Sequence, residues 1–244
     1  MSLKYKRVIA KISGEALSGP SPFGIDGRTV DGLAAELRQM HEAGVETGIV
    51  LGAGNIWRGR IGEGMDRVQA DHMGMLATVI NALAMQDALI RQGMEAVVMT
   101  AVPMETFAEY FNFRKARKDL SEGRAVIFAA GTGSPFFTTD SCAALRAAQI
   151  EADVYLKATN VDGVYTADPR KDPQARRYRT LSTCDALRLG LKVADATAFA
   201  LCQDNDIPIE VFDAHVPGNM LRVCMGEEIG TAVSNSAVTA FYEE

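Results

Sequence analysis

Cysteine and histidine are scarce in this chain, which has four cysteines and three histidines in 244 residues. The cysteines are Cys142, Cys184, Cys202 and Cys224. None lies in a CxxC pair or beside a histidine at metal-ligand spacing, which argues against a zinc site and a disulfide framework. We therefore expect reduced cysteines buried in the core.

Long apolar runs and excess positive charge are also missing. No run approaches the roughly 20 apolar residues that cross a bilayer, and MSLKYKR leads into a strand rather than a signal peptide. The net charge of −6 argues against a nucleic-acid substrate, because such proteins neutralise phosphates with surplus Lys and Arg. We expect a cytoplasmic protein without a membrane partner. The basic run Arg114, Lys115, Arg117 and Lys118 is predicted to be a solvated helix face.

Several nucleotide and nucleophile motifs are absent as well. The chain has no GxxxxGK[ST], no GxGxxG followed by a suitably spaced acidic residue, and no GxSxG. P-loop NTPases and serine hydrolases of the GxSxG type are therefore excluded, and a Rossmann dinucleotide site is poorly supported.

What is present is an alternation of short β-branched runs with longer helical patterns. Candidate strands are 7–12, 47–51, 96–99, 125–130, 154–158 and 207–212, and candidate helices include 30–43 and 71–92. This order predicts an α/β protein: a three-layer αβα sandwich around a central, mostly parallel sheet. The turn-rich text of residues 160–179 predicts a hairpin or loop inserted after a strand.

Glycine-rich loops follow three of the predicted strands. Lys11 and Gly14 follow the first, the second runs into GAGNIWRG with Arg58, and GTGSPFF follows 125–130. In parallel sheets these loops share one rim, where glycines let backbone N–H groups approach phosphates. The charged residues near strand or helix ends are Lys11, Arg58, Asp140 and Asp195. Such a set suits phosphoryl transfer, which rests on positioning and charge neutralisation.

Six motifs, in order, resemble one family. They are KISGEA (11–16), GAGNIWRG (52–59), DHMGMLAT (71–78), GTGSPFFTTD (131–140), LKAT (156–159) and DGVYTADP (162–169). From about Tyr5 to Ser234 the chain is similar to the uridylate kinase branch of the amino acid kinase superfamily. The first and last motifs are shared across the superfamily, whereas DHMGMLAT and GTGxPFFTTD are specific to that branch.

The resemblance implies a single domain of two lobes that transfers the ATP γ-phosphate to UMP, with Mg²⁺, in pyrimidine nucleotide biosynthesis. Residues 1–150 would form the UMP side, 151–234 the ATP side and 235–244 a tail. Implied ATP contacts are Lys11, Ser13, Gly14, Gly54, Arg58, Thr159, Tyr165 and Asp168. Implied UMP contacts are Ala53, Asp71, Thr132, Gly133, Ser134, Pro135, Phe136, Phe137, Thr138 and Thr139. The implied catalytic set is Lys11, Arg58, Asp140 and Asp195, with direct metal ligands unassigned. The family is typically homohexameric, inhibited by UTP and often activated by GTP.

Two residues depart from the family pattern. Ala53 stands where glycine is common and would crowd a position that needs positive φ, and Ser134 stands where asparagine is common. Two alternatives stay open on the same fold: a kinase for amino-acid or carbamate acceptors, and a non-catalytic nucleotide or oxyanion storage or regulatory protein.

Overall fold

The computed structural model describes residues 2–57, 64–191 and 193–243. Ten strands in these ranges form one sheet: β1 (Arg7–Ile12), β2 (Glu46–Leu51), β3 (Ala96–Thr100), β4 (Glu109–Tyr110), β5 (Ala125–Ala129), β6 (Val154–Thr159), β7 (Tyr178–Ser182), β8 (Ile209–Asp213), β9 (Thr231–Ser234) and β10 (Ala240–Phe241). Seven α-helices accompany them: α1 (Gly27–Glu42), α2 (Arg67–Arg91), α3 (Phe113–Ser121), α4 (Thr139–Ile150), α5 (Thr183–Arg188), α6 (Ala196–Asp204) and α7 (Asn219–Cys224). A 3₁₀ helix covers Gly14–Leu17.

Local sequence explains where the first long helix begins and ends. The Asp26 side chain accepts the Thr29 N–H at 2.8 Å and caps α1. Its buried face recurs every three or four residues, at Val30, Leu33, Leu37 and Met40. Gly44, with φ +89°, follows the helix in the left-handed conformation that glycine adopts without strain. The periodicity thus predicted this helix to within a few residues.

The sheet is mostly parallel and is covered on both faces. Its strand order is β10-β7-β9-β8-β6-β1-β2-β5-β3-β4, and only the β8–β9 and β7–β10 pairs are antiparallel among the described strands. One buried cluster packs α1, α2 and α7 against one face, and a second packs α3, α4 and α6 against the other. The predicted three-layer α/β class is confirmed.

Three expectations need comment. Cys142, Cys202 and Cys224 are buried, but Cys184 is exposed on α5, so the core prediction was wrong for that residue.

Helix α2 is long and apolar enough to cross a membrane by length and composition, contrary to the run-length expectation. Of its most apolar stretch, 44% is buried inside the protein. The basic face of α3 is solvated and ion-paired, as predicted.

The topology brings the predicted loops together. Strands β6, β1, β2 and β5 are adjacent and parallel, so their carboxyl ends share one edge of the sheet. The loops after β1, β2 and β5 and the end of β6 therefore lie along the same rim.

Candidate active site

The first two glycine loops are in direct backbone contact. A Cβ on Gly14 would lie 2.6 Å from the Gly54 nitrogen and 2.8 Å from the Gly52 oxygen, and a Cβ on Gly52 would lie 2.7 Å from the Gly14 nitrogen. These glycines are therefore required by close approach. Ala53 does not have positive φ, so the predicted crowding at that position was wrong: its methyl is tolerated.

A buried pair of amides fixes the second loop. Asn55 and Asn81 exchange hydrogen bonds of 3.0 and 2.8 Å, and Asn81 also donates to the Gly52 carbonyl at 2.8 Å. The remaining Asn55 hydrogen reaches the Gly24 carbonyl at 2.8 Å. Because both side chains are fully buried, losing either would leave polar atoms unpaired. Sequence reasoning assigned neither side chain a role.

The loop after β5 is held in a strained conformation. Ala130, Gly131, Gly133 and Phe136 all have positive φ, which costs energy at the two residues with side chains. The Asp71 carboxylate, predicted to contact UMP, accepts the Phe136 N–H at 2.8 Å. This bond spans from α2 to the loop and compensates part of the strain.

A cleft of about 120 Å³ opens beside this loop. Seven of the ten predicted UMP residues line it: Ala53, Asp71, Thr132, Ser134, Phe137, Thr138 and Thr139. Gly133, Pro135 and Phe136 do not line it. Gly131, from the glycine loop that the sequence placed on this rim, also lines the cleft, whereas the sequence interpretation missed Ala70, Gly74, Met75 and Thr78.

The amino end of α4 forms one corner of the cleft. The Thr138 hydroxyl accepts the N–H groups of Asp140 and Ser141 at 3.1 and 3.3 Å and donates to the Asp195 carboxylate. Asp195 also accepts the Ser141 hydroxyl at 3.0 Å and caps α6 through the Ala198 N–H at 2.9 Å. The structure therefore ties the predicted catalytic Asp195 to the end of the loop after β5 and the first turn of α4. The N–H groups of Asp140 and Ser141 at the start of α4 are therefore already capped.

Asp140 is the centre of a partly buried charge cluster. Lys11 approaches its Oδ1 at 3.0 Å, Lys157 contacts Oδ2, and the Tyr155 hydroxyl donates to Oδ1 at 3.2 Å. Lys11 and Lys157 are register partners on β1 and β6, so both project from the same face of the sheet. One carboxylate thus faces two ammonium groups, leaving a net positive charge.

The electrostatics of this cluster follow from that arrangement. Burial alone would raise the pKa of Asp140, but the two lysines outweigh it and hold the pKa below its ordinary value. Burial lowers the pKa of Lys157, opposed by Asp140 and reinforced by Lys11. The Lys11–Asp140–Lys157 cluster thus carries one surplus positive charge at the end of β1 and β6, partly offset by the nearby Asp195 carboxylate. Tyr155 and Lys157 are two residues apart on β6 and therefore share one face of the strand. This spacing is the sequence signal that could have indicated a role for Lys157.

The inserted segment follows β6. It is hairpin-like, as predicted: Tyr165 and Arg177 form an antiparallel bridge, and Tyr178 N–H donates to the Val164 carbonyl at 2.9 Å. The hairpin ends by entering β7 at Tyr178, within the range predicted as insertion.

The predicted ATP residues of this segment make local bonds. Thr159 bonds the backbone of Val161, the Tyr165 hydroxyl donates to Asp162 at 2.7 Å, and the Asp168 side chain accepts the Arg170 N–H at 3.0 Å. An open groove beside them is lined by residues that include Asn160, Val161, Asp162, Pro169, Arg170 and Asp213. Each of the three predicted residues thus adjoins or bonds a residue of this groove.

Ser13 and Arg58 are two further predicted site residues. Ser13 caps the 3₁₀ helix by accepting the Ala16 N–H at 3.3 Å, next to Gly14. Arg58 lies outside the described residues. Within the described ranges, no group of three or more His, Cys, Asp or Glu side chains could hold a metal ion.

A cationic centre at the end of a parallel sheet, beneath contacting glycine loops and beside a cleft, defines an α/β protein built to bind phosphate groups. The amino acid kinase family model matches residues 6–213, and the chain belongs to that family. Within it the chain groups with the UMP kinases. It is similar to the UMP kinase of Bacillus anthracis, with 37% identity over 98% of this chain and 99% of that one and a TM-score of 0.95.

Two other solved structures extend the comparison. The UMP kinase of Ureaplasma parvum is 40% identical over 95% of this chain and 100% of that chain, with a TM-score of 0.90. The uridylate kinase of Archaeoglobus fulgidus is 27% identical over 93% and 99% of the two chains, with a TM-score of 0.73. The similarity spans nearly the whole of each relative.

Proposed function

We propose that this chain transfers the γ-phosphate of ATP to UMP, giving UDP and ADP. The observation that carries the proposal is the Lys11–Asp140–Lys157 centre, which lies between the glycine rim of β1 and the cleft. Thr138 and Thr139 line that cleft directly before Asp140. The full-length similarity to proteins described as UMP kinases supports UMP as the acceptor.

The chemistry asks little of the protein beyond alignment and charge neutralisation. The phosphate of UMP is already ionised, so the attacking oxygen needs no general base. Lys11 would meet the phosphates from the glycine rim, while Asp140 keeps the two lysines together at the reaction centre. Asp195 would hold Thr138 and the start of α4 in register with the acceptor phosphate. Arg58 completes the proposed catalytic set.

Magnesium fits this centre as a companion of the nucleotide. Mg²⁺ usually keeps several waters and takes one or two carboxylates together with substrate phosphates. The described residues form no three-ligand cage, and Asp140 and Asp195 are the carboxylates at hand. When bound, the ion would neutralise phosphate charge.

We place ATP along the C-terminal part, residues 151–234, with Thr159, Tyr165 and Asp168 beside the open groove. UMP would occupy the cleft of the N-terminal part, residues 1–150. The aromatic ring of Phe137 would wall the nucleoside. Ser134, which replaces the more usual asparagine, would offer a shorter side chain.

We also propose that copies of the chain associate, as a homohexamer, through α2. Its outer face carries exposed apolar side chains at helical spacing, namely Met73, Leu76, Ile80 and Ile90. Light scattering after size exclusion would measure the mass, and a monomer would contradict this. GTP and UTP are the effectors to be added in the activity assay.

Coupled ADP release tests the main proposal. UMP should stimulate turnover by the purified chain with ATP and Mg²⁺ more than CMP, dUMP, acetylglutamate or carbamate. Lys11→Ala should lose about two to three orders of magnitude in rate, whereas Lys6→Ala, on the exposed side chain before β1, should behave as wild type. Stimulation by an amino-acid acceptor but not UMP would refute the proposal. Nucleotide binding without any turnover would favour a storage role.

A further inference from the structure

The end of the described chain folds back onto the inserted segment. Strand β10 pairs with β7, and Phe241 stacks on Tyr178 with ring centroids 4.5 Å apart. The next residue, Tyr242, lies against the Arg177 guanidinium, with 4.0 Å from Cζ to the ring centroid. The Tyr242 hydroxyl donates to the Gly230 carbonyl at 2.7 Å. The ring is thus fixed both by its face and by its hydroxyl.

Arg177 connects this end of the chain to a predicted ATP residue. Its guanidinium pairs with the Asp162 carboxylate, whose other oxygen accepts the Tyr165 hydroxyl at 2.7 Å. Tyr165 and Arg177 also form a β-bridge. A continuous line of contacts therefore runs from Tyr242 through Arg177 and Asp162 to Tyr165.

A second arginine repeats the arrangement. Arg176 lies over the Phe241 ring, with 4.1 Å from Cζ to the centroid. On the opposite arm of the hairpin, the Thr166 N–H donates to the Arg176 carbonyl at 3.0 Å. The Arg176 N–H donates to the Thr166 hydroxyl, also at 3.0 Å. Two successive arginines of the returning arm thus rest on two successive aromatic rings. This support comes from outside the family match, which ends at residue 213.

We propose that residues 240–242, here called the tail clamp, hold the inserted segment in the conformation that binds ATP. Tyr242 acts as a positioning residue through Arg177 and Asp162. If the turn-rich segment had to become ordered at each binding event, the loss of its conformational entropy would weaken affinity for ATP. A segment that is already ordered does not incur this loss on binding. The inference rests on the proposed function, because it takes Tyr165 and Asp168 as ATP contacts.

The kinetic test uses the full-length chain. Tyr242→Leu removes the ring from Arg177 and should raise KM for ATP roughly two- to fivefold, as expected for a cation–π contact that is not fully desolvated, with kcat and KM for UMP unchanged. Tyr242→Phe keeps the ring on Arg177 but loses the hydroxyl bond to Gly230, so its KM for ATP should lie between those of wild type and Tyr242→Leu. Val238→Ala is the matched tail control, because that side chain is 82% exposed.

A double-mutant cycle tests the route of action. Arg177→Met removes both the ring contact and the Asp162 pair, so it should raise KM for ATP more than Tyr242→Leu. Adding Tyr242→Leu to Arg177→Met should change nothing further, because the tail acts through Arg177. Independent, additive effects on KM would overturn this route.

Limited trypsin digestion supplies a readout that needs no turnover. Arg170 and Lys171 are exposed in the inserted segment, and cleavage there should be faster in Tyr242→Leu than in wild type or Val238→Ala. Wild-type cleavage together with wild-type KM for ATP would overturn the inference, as would an equal rise in KM for ATP and UMP. A wild-type chain that shows no UMP-dependent turnover would instead refute the proposed function, and the digestion would still test the clamp.

Discussion

Replacing Gly14 with alanine should separate the two loops that form the proposed phosphate rim. The added Cβ would lie 2.6 Å from both the Gly54 nitrogen and the Asn55 Oδ1. Ordinary van der Waals contact begins at 3.4 Å, so the loops must part by roughly 0.8 Å (3.4 − 2.6). Neither neighbour can swing away, because one is backbone and the other belongs to the buried amide pair.

The magnitude follows from two separate effects. Overpacking of a close contact costs about 1–3 kcal/mol of stability. A displacement approaching 1 Å at a reacting centre costs about 10²-fold in rate, and Lys11 lies only three residues before Gly14. We therefore expect Gly14→Ala to lose about 10²-fold in kcat/KM for ATP while remaining folded.

The assay is coupled ADP release with urea unfolding measured in parallel. Gly32→Ala is the matched control, because a Cβ there has no neighbour within 4 Å. That helix-interior change should leave activity unchanged and stabilise the protein by about 0.5–1 kcal/mol. Wild-type kcat/KM in Gly14→Ala would refute the close-approach reasoning. An equal loss in both variants would show that flexibility, rather than space, is what glycine provides.

Three further changes probe other parts of the structure. Lys157→Met removes a cation from the proposed reaction centre, so kcat should fall at least about tenfold. Because that cation is desolvated beside Lys11, Tm should be unchanged or higher. A lower Tm with normal kcat would contradict this. Asn81→Leu leaves the buried Asn55 amide short of partners, and urea unfolding should show a loss of about 1–3 kcal/mol. Glu36 accepts the Gly218 N–H at 3.2 Å, and burial raises the pKa of its carboxyl. The contribution of this carboxyl to folding stability is therefore fully present below its unfolded pKa of about 4.3. That contribution is lost as pH rises through the folded pKa. The Tm of Glu36→Gln minus that of wild type should therefore be larger at pH 7.5 than at pH 4. A constant Tm difference across that range would exclude the carboxyl as the cause.

Short-range patterns were sufficient for much of the fold. The β-branched runs located the six adjacent central strands of the sheet, from β8 to β3, because buried parallel strands read as continuous apolar segments. The short strands β4, β7, β9 and β10 escaped, since two to five mixed residues carry little periodic signal. Their place is decided by pairing with distant strands.

The sequence by itself determined which loops carry glycine, where the long helices run to within a few residues, and which motifs resemble a known family. These depend on local backbone preferences and on residue order, as at Asp26, Thr138 and Asp195. The structure alone decided that Lys157 stands beside Lys11, that Asn81 supports the second glycine loop and that Tyr242 reaches the inserted segment. Each of those contacts joins residues far apart in the chain, through strand register and packing that no local pattern encodes.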